Sequence, residues 1–404
     1  MGCKNAATPI LAATLLTNEP VILSNVPKIG DVLTMIEILR SLGSEIEWIN
    51  EHQLKISNKH IALERLDKKL IKKIRSSVLL LGPLLSRFKK VALSRPGGCF
   101  IGSRPLDTHF EALKQFRVNI ESGDDLYRFS YEKLEPAEVI LKEFSVTATE
   151  NVLLLASAIA GKTLLKIAAI EPHVEDLTNF LRKLGVKIDI VSPHTFVIEG
   201  IAKFSGAEHR IIPDPIEAGT FLGLALILGG KRILVKNVIP RHLDIVFEKI
   251  REMGGQLELE KKDVYCNMRV YAPKGLLATK IQTLPYPGFP SDLQNIFGVV
   301  LTQAQGTSMI FDTLYEGRLK YLDELNKMGA NTVILDPHRA LIIGPTPLYG
   351  KEITSFDLRT GASLVLAALL AKGETTISNI EQIDRGYEQL EERFKNLGAE
   401  IKRV

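Results

Sequence analysis

The order of apolar and polar positions along the chain predicts one structural unit that is repeated six times. Each unit begins with a segment that is apolar on nearly every side, which is typical of a helix buried all round. A strand, a helix with one polar face and a pair of alternating strands follow. The six apolar segments are Asn5–Leu16, Ser76–Phe88, Asn151–Ala160, Ala218–Leu228, Leu293–Gln303 and Thr360–Ala371.

The second helix of each unit ends at a residue suited to a turn. Five of these residues are glycine, which fits the left-handed position after a helix. Alternating segments such as Glu45–Ile56 and Val186–Ile198 follow and predict hairpins. The six turn residues lie 68 to 75 positions apart and are Gly43, Arg117, Gly185, Gly254, Gly329 and Gly398.

The alternation of helices and strands favours an α/β fold over a helical bundle. A chain of 404 residues exceeds the size at which one hydrophobic core usually stops growing, so we expect more than one domain. We predict two lobes of three units each, residues 1–212 and 213–404, with the boundary near Ile212 to Asp214.

Composition indicates an ordinary globular protein, with 45% apolar and 24% charged residues. The net charge of +4 is too small to indicate nucleic-acid or membrane-surface binding. The longest apolar stretch, Ala362–Ala371, is well short of the ~17 to 25 residues that span a bilayer. Three cysteines at distant positions argue against disulfides, and we therefore expect a cytosolic location.

A charged residue stands near the start of each apolar helix. Acidic residues there are favoured by the helix dipole, which suffices for Glu150 and leaves Glu217 open between structure and function. Lys4, Arg75 and Arg359 add positive charge to a positive helix end, which suggests a bound anion; pairing with surface carboxylates is the alternative. The six residues are Lys4, Arg75, Glu150, Glu217, Asp292 and Arg359.

Two further segments carry candidate chemistry. Asp292 follows Ser291, a suitable N-cap, and the proline-rich stretch before it would hold a carboxylate in a fixed direction, as a general base requires. The glycine-rich segment 95–107 predicts a mobile lid that closes over a ligand. Its two arginines, Arg95 and Arg104, favour the thiolate form of Cys99.

Seven short segments carry a family likeness: Cys3–Ala7, Arg75–Ser77, Pro96–His109, Phe289–Gln294, Tyr315–Arg318, Asp357–Arg359 and Ile383–Tyr387. With them the chain resembles the UDP-N-acetylglucosamine 1-carboxyvinyltransferase family over essentially its whole length. The resemblance implies a two-lobed inside-out α/β barrel with the active site between the lobes. It also implies transfer of the enolpyruvyl group of phosphoenolpyruvate to the 3-hydroxyl of UDP-N-acetylglucosamine, the first committed step of peptidoglycan biosynthesis.

The resemblance further implies roles for single residues. Asp292 would deprotonate the sugar hydroxyl, Cys99 would be the general acid that fosfomycin alkylates, and Lys4 would complete the catalytic set. Phosphoenolpyruvate would be held by Lys4, Asn5, Arg75, Arg104, Arg359 and Arg385. The sugar nucleotide would be held by Asn5, Arg75, Arg104, Pro105, Leu106, Asp107, Thr108, Ser145, Val146, Asp292 and Leu314.

These roles agree with the chemistry of the reaction. Addition of an alcohol to C2 of phosphoenolpyruvate needs a proton at C3 and cations around the carboxylate and phosphate. An aspartate base, a cysteine acid and clustered arginines supply that set. We expect no metal, no organic cofactor, and neither nucleic acid nor a membrane as partner.

The chain departs from the family pattern at several positions. Members carry nearly twenty residues before the Lys-Asn pair that begins here at Lys4, so either the start was placed too late or a sheet edge has been lost, which would favour association. Glu143, Thr147, Pro215 and Tyr286 replace the usual lysine, glycine, arginine and histidine. We expect substrate affinity to differ accordingly.

Two alternatives remain at this point. The shikimate-pathway enolpyruvyl transferase resembles this fold, but its lysine-serine start and Gly-Asn-Ala-Gly segment are absent while the Cys99 segment is present. A catalytically silent paralogue that binds the nucleotide is the second alternative. The presence of Lys4, Cys99, Asp292 and Arg385 argues against it.

Overall fold

A computed structural model of the protein describes residues 1–97, 105–228, 233–262 and 264–404. The described residues form two compact units, one made of residues 1–97 and 105–212 and the other beginning at residue 213. Each unit buries a hydrophobic core of its own. Among the described residues no helix combines the length and the apolar character needed to cross a membrane.

The first unit consists of α-helices, short 3-10 turns and β-strands. The helices are α1 Lys4–Thr14, α2 Gly30–Leu42, α3 Lys68–Ile71, α4 Leu81–Arg87, α5 Asp107–Lys114, α6 Val146–Ala156 and α7 Pro172–Lys183, with 3-10 turns at Leu63–Arg65 and Arg75–Leu80. The strands are β1 Val21–Ser24, β2 Glu45–Asn50, β3 Gln53–Ser57, β4 Lys90–Ser94, β5 Asn119–Ser122, β6 Leu126–Ser130, β7 Glu138–Ile140, β8 Gly161–Lys166, β9 Lys187–Ser192, β10 Thr195–Gly200 and β11 Ala207–Arg210.

The apolar helices of this unit are buried, as their composition predicts. Every residue of α1 from Ala6 to Thr14 is buried, and so is every residue of α6 from Ala148 to Ala156. α4 packs on α6, and the 3-10 turn Arg75–Leu80 packs on both α1 and α6. These helices form the centre of the unit's core, and their first turns bring the candidate residues to its surface.

The sheets of the first unit repeat one pairing scheme. The strand after each buried helix pairs antiparallel with the second strand of the following hairpin, as in the register Val21 to Ile56. Two of the sheets each contain one additional parallel strand. In one sheet β11 pairs with β1, and in another β7 pairs with β8. The strand orders are β11-β1-β3-β2, β4-β6-β5 and β7-β8-β10-β9.

The second unit follows the same order of elements. Its helices are α8 Pro215–Ile227, α9 Asp244–Glu252, α10 Ser291–Leu301, α11 Tyr321–Lys327, α12 Leu358–Leu370, α13 Glu381–Asp384 and α14 Leu390–Asn396, with 3-10 turns at Pro240–His242 and Arg318–Lys320. The strands are β12 Ile233–Val238, β13 Gln256–Lys262, β14 Tyr265–Tyr271, β15 Leu276–Leu277, β16 Lys280–Thr283, β17 Ala304–Asp312, β18 Asn331–Asp336, β19 Arg339–Gly344, β20 Glu352–Thr354 and β21 Thr376–Ser378.

The buried helices of the second unit pack against one another. α10 contacts both α8 and α12, and these three helices are the most apolar elements of the unit. The sheets have the strand orders β12-β14-β13, β15-β17-β19-β18 with β16 also paired to β17, and β20-β21. The packing places the first turns of α10 and α12, with Asp292 and Arg359, close together.

The predicted turn residues are confirmed. All six have a positive φ, from 67° at Arg117 to 105° at Gly43, and each follows the second helix of its sequence repeat. The two predicted hairpins are also confirmed, as β2 with β3 and β9 with β10. Helix ends are set by local backbone geometry, which is why a single sequence could locate them.

Several details of the prediction are wrong. Glu150 is the fifth residue of α6 and fully buried, so the helix dipole does not account for it, because α6 begins earlier than its apolar pattern suggested. Ser291 is the first residue of α10 and not its cap, and its hydroxyl donates to Asp312 Oδ2. Residues 399–404, which follow Gly398, form no strand.

Candidate active site

Asp292 is held between two arginines at the start of α10. Its Oδ1 accepts a hydrogen bond from Arg318 Nη2 at 2.7 Å and its Oδ2 accepts one from Arg359 Nε at 3.1 Å. The Asp292 side chain is 26% exposed, whereas those of Arg318 and Arg359 are 6% and 2% exposed. The carboxylate is therefore fixed in direction and still accessible, which is the arrangement that a general base requires.

Arg359 is positioned by the cap of its own helix. Asp357 accepts hydrogen bonds from the backbone N–H groups of Arg359 at 2.9 Å and Thr360 at 3.1 Å, which fixes the first turn of α12. The guanidinium lies 5.3 Å from the ring centre of Tyr387. Burial alone would lower the pKa of Arg359, but Asp292, Tyr387 and Asp214 together outweigh it and raise the pKa above its ordinary value. Arg359 is a permanent cation.

Arg318 completes the cluster, and the sequence prediction did not assign it a role. It stands in the 3-10 turn before α11, with its guanidinium 5.2 Å from the ring centre of Tyr315. Burial would lower its pKa, but the charges of Asp292 and Asp357 raise it. The sequence did contain a signal for Arg318, because this residue ends the segment Tyr315–Arg318, which carries part of the family likeness.

The two buried guanidiniums offer donors that no described residue accepts. Nε and Nη1 of Arg318 and Nη1 of Arg359 are buried and have no hydrogen-bond partner in the described part of the chain. An unmet buried donor costs about 1–3 kcal/mol, and more when it is charged. A ligand with several anionic oxygens would satisfy these donors, because a guanidinium can bind a carboxylate or phosphate through two parallel N–H···O hydrogen bonds.

The loop that carries Leu314 is fixed by a buried carboxylate. Asp312 Oδ1 accepts from the N–H groups of Leu314 at 3.0 Å and Tyr315 at 3.1 Å, while Oδ2 accepts from Ser291 Oγ at 2.7 Å. The Leu314 residue is 39% exposed. Asp312 thus ties this loop to the start of α10, and sequence reasoning missed it as well.

Arg385 follows the short helix α13. Its Nη1 donates to Gln382 Oε1 at 3.0 Å, and the residue is partly buried. Glu217, in the first turn of α8, pairs with Arg393 Nη1 at 2.8 Å in the same unit. The structure therefore gives Glu217 a structural partner.

Three predicted residues of the first unit lie at helix starts. Lys4 is the first residue of α1, and its Nζ lies 2.9 Å from Asp31 Oδ2. Asp31 is buried, so this partner of Lys4 is not a surface carboxylate. Asn5 follows Lys4 and is partly buried. Arg75 begins a 3-10 turn, and its Nη2 donates to the carbonyl oxygen of Pro105 at 3.4 Å.

Four of the residues that we predicted to bind the sugar nucleotide lie just before and at the start of α5. Pro105 and Asp107 are exposed, whereas Leu106 and Thr108 are buried. Thr108 Oγ1 donates to Glu143 Oε1 at 2.7 Å. Glu143, which departs from the family pattern, therefore fixes the first turn of α5.

Ser145 and Val146 lie at the start of α6. Ser145 is the N-cap, and its hydroxyl accepts from the N–H of Ala148 at 3.4 Å. Val146 is the first helical residue, and both are partly exposed. The positive end of α6 suits an anionic group.

The predicted lid chemistry lies mostly outside the described residues. Cys99 and Arg104 both fall in the segment that the structure does not describe. Arg95, at the edge of that segment, lies 5.0 Å from the ring centre of Tyr127 and donates to the carbonyl oxygen of Gly123.

Comparison with known proteins gives a consistent family. The family described as EPSP synthase (3-phosphoshikimate 1-carboxyvinyltransferase) matches residues 1–394. UDP-N-acetylglucosamine 1-carboxyvinyltransferase of Bradyrhizobium diazoefficiens is 44% identical, covering 100% of this chain and 94% of its own. The proteins of that name from Treponema denticola and Coxiella burnetii are 41% and 42% identical, covering 99% and 100% of this chain and 94% and 92% of their own.

Solved structures share the fold. The enolpyruvyl transferase NikO from Streptomyces tendae superposes with a TM-score of 0.90 at 24% identity, covering 100% of this chain and 95% of its own. An EPSP synthase from Acinetobacter baumannii gives a TM-score of 0.75 at 18% identity, covering 98% and 94%. At such identities the likeness is one of fold alone.

Proposed function

This chain belongs to the EPSP synthase family, and we propose that it transfers the enolpyruvyl group of phosphoenolpyruvate to the 3-hydroxyl of UDP-N-acetylglucosamine. The observation that carries the proposal is the full-length identity of 41% to 44% with proteins named for that reaction. The Asp292 cluster supports it, because it combines an accessible carboxylate with buried donors that suit an anion. The reaction would serve peptidoglycan biosynthesis.

Asp292 has the geometry for the first step. Its carboxylate would take the proton of the sugar 3-hydroxyl as the hydroxyl oxygen bonds to C2 of phosphoenolpyruvate, while C3 gains a proton from Cys99. The intermediate then loses phosphate, and loss of a proton from C3 restores the double bond. We assign the open donors of Arg318 and Arg359 to oxygens of phosphoenolpyruvate, whose negative charges they would hold in place.

The remaining predicted residues join this proposal. Phosphoenolpyruvate would also contact Lys4, Asn5, Arg75, Arg104 and Arg385. UDP-N-acetylglucosamine would contact Asn5, Arg75, Arg104, the stretch 105–108, Ser145, Val146, Asp292 and Leu314. Support comes from the placement of Lys4, Asn5, Asp107, Thr108, Ser145 and Val146 at the starts of α1, α5 and α6, where backbone N–H groups add to the attraction for phosphate.

We also propose the finer architecture. The order helix, strand, helix, strand, strand recurs in five of the six repeats. This recurrence supports an inside-out barrel in each lobe, with three repeats per lobe. The lobes would be residues 1–212 and 213–404. The buried helices of each unit, which contact one another, would form the interior.

The first experiment is a phosphate-release assay with phosphoenolpyruvate and either UDP-N-acetylglucosamine or shikimate 3-phosphate as acceptor. We expect release with the sugar nucleotide only. Release with shikimate 3-phosphate only would replace the proposed substrate by that of the alternative enzyme. Binding of the nucleotide without release would favour the silent paralogue.

The role of Asp292 has its own test. Asp292→Asn should lower kcat at least about 100-fold, because general base catalysis contributes roughly 10²- to 10⁴-fold. Asp323→Asn, at an exposed position of α11, is the matched control and should retain the wild-type rate. Equal rates in the two variants would exclude Asp292 as the base.

A further inference from the structure

The segment Ile383–Tyr387, which carries part of the family likeness, ends in a buried tyrosine. Its Arg385 is assigned to phosphoenolpyruvate, whereas the Tyr387 side chain lies in the core of the second unit and is 1% exposed. Tyrosine is seldom buried unless its hydroxyl finds a hydrogen-bond partner. The contacts of this hydroxyl therefore indicate what the residue does.

The segment approaches the first turn of α12 closely, and a glycine makes this possible. A Cβ on Gly386 would lie 2.0 Å from Leu358 Cδ1, so a larger residue would have to push the Leu358 side chain aside. The close approach brings the ring of Tyr387 beside the guanidinium of Arg359, which belongs to that first turn. Tyr387 is therefore a direct neighbour of the Asp292 cluster.

The direction of the hydrogen bonds around the Tyr387 hydroxyl is fixed by its neighbours. Its oxygen lies 2.8 Å from Thr220 Oγ1, which in turn lies 2.9 Å from the carbonyl oxygen of Ile216. A carbonyl oxygen can only accept, so Thr220 donates its single hydroxyl hydrogen to Ile216. Thr220 Oγ1 then accepts the hydrogen of the Tyr387 hydroxyl.

The Tyr387 oxygen is left as an acceptor for Arg359. The guanidinium lies 5.3 Å from the ring centre of Tyr387, and a hydrogen bond between the two side chains helps to raise the pKa of Arg359. A guanidinium has five N–H donors and no acceptor, so the hydrogen bond can run only from Arg359 to Tyr387. This requirement agrees with the direction that Thr220 sets.

The Arg359 guanidinium is thus held on two sides. Its Nε donates to Asp292 Oδ2 at 3.1 Å, and the Tyr387 hydroxyl accepts from it as well. Because a guanidinium is rigid and planar, two such contacts determine the direction of its other N–H groups. One of these, on Nη1, is buried and has no acceptor among the described residues. Without the Tyr387 hydroxyl, its direction would depend on Asp292 alone.

We propose that Tyr387 is a positioning residue, whose hydroxyl, fixed by Thr220 of α8, holds Arg359 in the orientation that binds phosphoenolpyruvate. The inference rests on the proposed function, through the assignment of Arg359 to that substrate. Tyr387 does not touch the substrate and acts through Arg359. Loss of its hydroxyl therefore weakens the binding of phosphoenolpyruvate and leaves the binding of the sugar nucleotide unchanged.

The test is a kinetic comparison in the phosphate-release assay. Tyr387→Phe keeps the ring and removes the hydroxyl, and we expect the KM for phosphoenolpyruvate to rise about 3- to 30-fold, because a hydrogen bond to a charged group is lost. The affinity for UDP-N-acetylglucosamine, measured by calorimetric titration, should stay within about 2-fold of wild type. Purely structural damage would instead lower kcat through loss of active protein and leave this KM unchanged.

Tyr321→Phe is the matched control. Tyr321 is another fully buried tyrosine of the second unit, and its hydroxyl has no hydrogen-bond partner in the described part of the chain. Removal of that hydroxyl should leave the KM for phosphoenolpyruvate unchanged. An equal rise in both variants, or no rise in Tyr387→Phe, would overturn the proposal.

Variants at Thr220 test the same chain without a change at the tyrosine, and they decide the question even if Tyr387→Phe does not fold. Thr220→Val leaves the Tyr387 hydrogen without an acceptor and should raise the KM for phosphoenolpyruvate. Thr220→Ser keeps the hydroxyl and should stay within about 2-fold of wild type. No difference between the valine and serine variants would contradict the proposed chain.

A double variant tests whether the two residues act as one chain. Once the Tyr387 hydroxyl is absent, Thr220 has nothing left to hold, so Thr220→Val combined with Tyr387→Phe should have the same KM for phosphoenolpyruvate as Tyr387→Phe alone. If the two effects multiply, Thr220 and Tyr387 act independently and the proposal is wrong.

These outcomes separate the two proposals, because phosphoenolpyruvate is the common substrate of both candidate reactions. Phosphate release with shikimate 3-phosphate alone rejects the proposed function, and the KM series with that acceptor still decides the role of Tyr387. Release with UDP-N-acetylglucosamine and an unchanged KM across the series rejects the role of Tyr387 and leaves the proposed function intact. A wild type that releases phosphate with neither acceptor rejects both.

Discussion

At the scale of single residues, the two carboxylate oxygens of Asp292 accept hydrogen bonds from two different guanidinium groups. For the position of the carboxylate, this arrangement matters more than the number of ion pairs. Ion pairs on the surface contribute little to stability. Removal of one partner from a buried ion pair, however, leaves the charge of the other partner buried and uncompensated. Arg318 and Arg359 are both buried, and each contacts a different oxygen. Together they hold the Asp292 carboxylate in one direction.

Arg318→Gln tests this positioning role. Loss of the cation makes the ionised form of Asp292 less favourable, so we expect the acidic limb of the pH profile of kcat/KM to move to higher pH and kcat to fall about 10- to 100-fold. Arg251→Gln removes a partner from the exposed pair with Glu248 and should change neither quantity. An unmoved acidic limb in Arg318→Gln would show that Arg318 does not act through Asp292.

A buried carboxyl group, that of Glu150, lies in the core of the first unit. Burial raises the pKa of the Glu150 carboxyl well above its usual range, and the nearby charge of Glu171 adds to the rise. The folded state therefore binds a proton that the unfolded chain releases at lower pH. The stability from Glu150 is fully present below the ordinary glutamate pKa and is lost as pH rises through the folded value.

Glu150→Gln should remove this pH dependence, since an amide of the same shape carries no titrating proton. We expect the free energy of unfolding of the wild type to fall more steeply than that of the variant as the pH rises above the ordinary glutamate pKa. Urea denaturation at several pH values measures the difference, and Glu132→Gln, at an exposed position, is the control. Parallel curves for wild type and Glu150→Gln would mean that Glu150 does not titrate differently on folding.

The sequence could indicate some of these residues and not others. Asp292 and Arg359 could be predicted as candidates because each stands in the first turn of an apolar helix, a local signal. Arg318 and Asp312 could not be found in this way, because their roles come from contacts between α10 and distant loops. Glu150 was misread for a different reason, because α6 begins at Val146, earlier than its apolar pattern suggested.

At the scale of elements, the helix ends were the most predictable feature. Glycine after a helix adopts a left-handed conformation without strain, and this preference depends on neighbouring residues alone. Helix starts were less predictable, since α6 and α10 begin at residues whose cap bonds depend on local context and tertiary partners. The turn residues were therefore correct while several helix starts were shifted.

Two of these glycines form a matched pair. Gly43 and Gly185 have φ values of 105° and 103° in the same unit. A Cβ on Gly43 would lie 2.3 Å from the carbonyl oxygen of His60, whereas one on Gly185 would lie 3.4 Å from the Ile201 side chain. Alanine at either position adds a left-handed strain of about 1–2 kcal/mol, and at Gly43 it also displaces backbone.

We expect Gly43→Ala to reduce the free energy of unfolding by at least about 1 kcal/mol more than Gly185→Ala does. Urea denaturation of the two variants beside the wild type measures the difference. Equal losses would mean that the segment around His60 moves aside freely and that its close approach to Gly43 does not stabilise the fold.

At the scale of the whole molecule, the chain is built as two separate cores. One core uses residues from Cys3 to Ile211 and the other from Ile216 to Phe394. A unit with a hydrophobic core of its own is expected to be able to unfold without the other. The length of the chain predicted more than one core, and the repeat pattern predicted where one would end.

Matched core variants test whether the two units unfold separately. Leu39 and Ile296 are both fully buried, one in each core, and replacement of either by alanine should cost about 2–5 kcal/mol. Hydrogen exchange read by mass spectrometry should show faster exchange after Leu39→Ala among the residues before 213, and after Ile296→Ala among the residues from 213 onward. If either variant accelerates exchange equally in both units, the chain unfolds as one body, and the proposed lobes are not independent in stability.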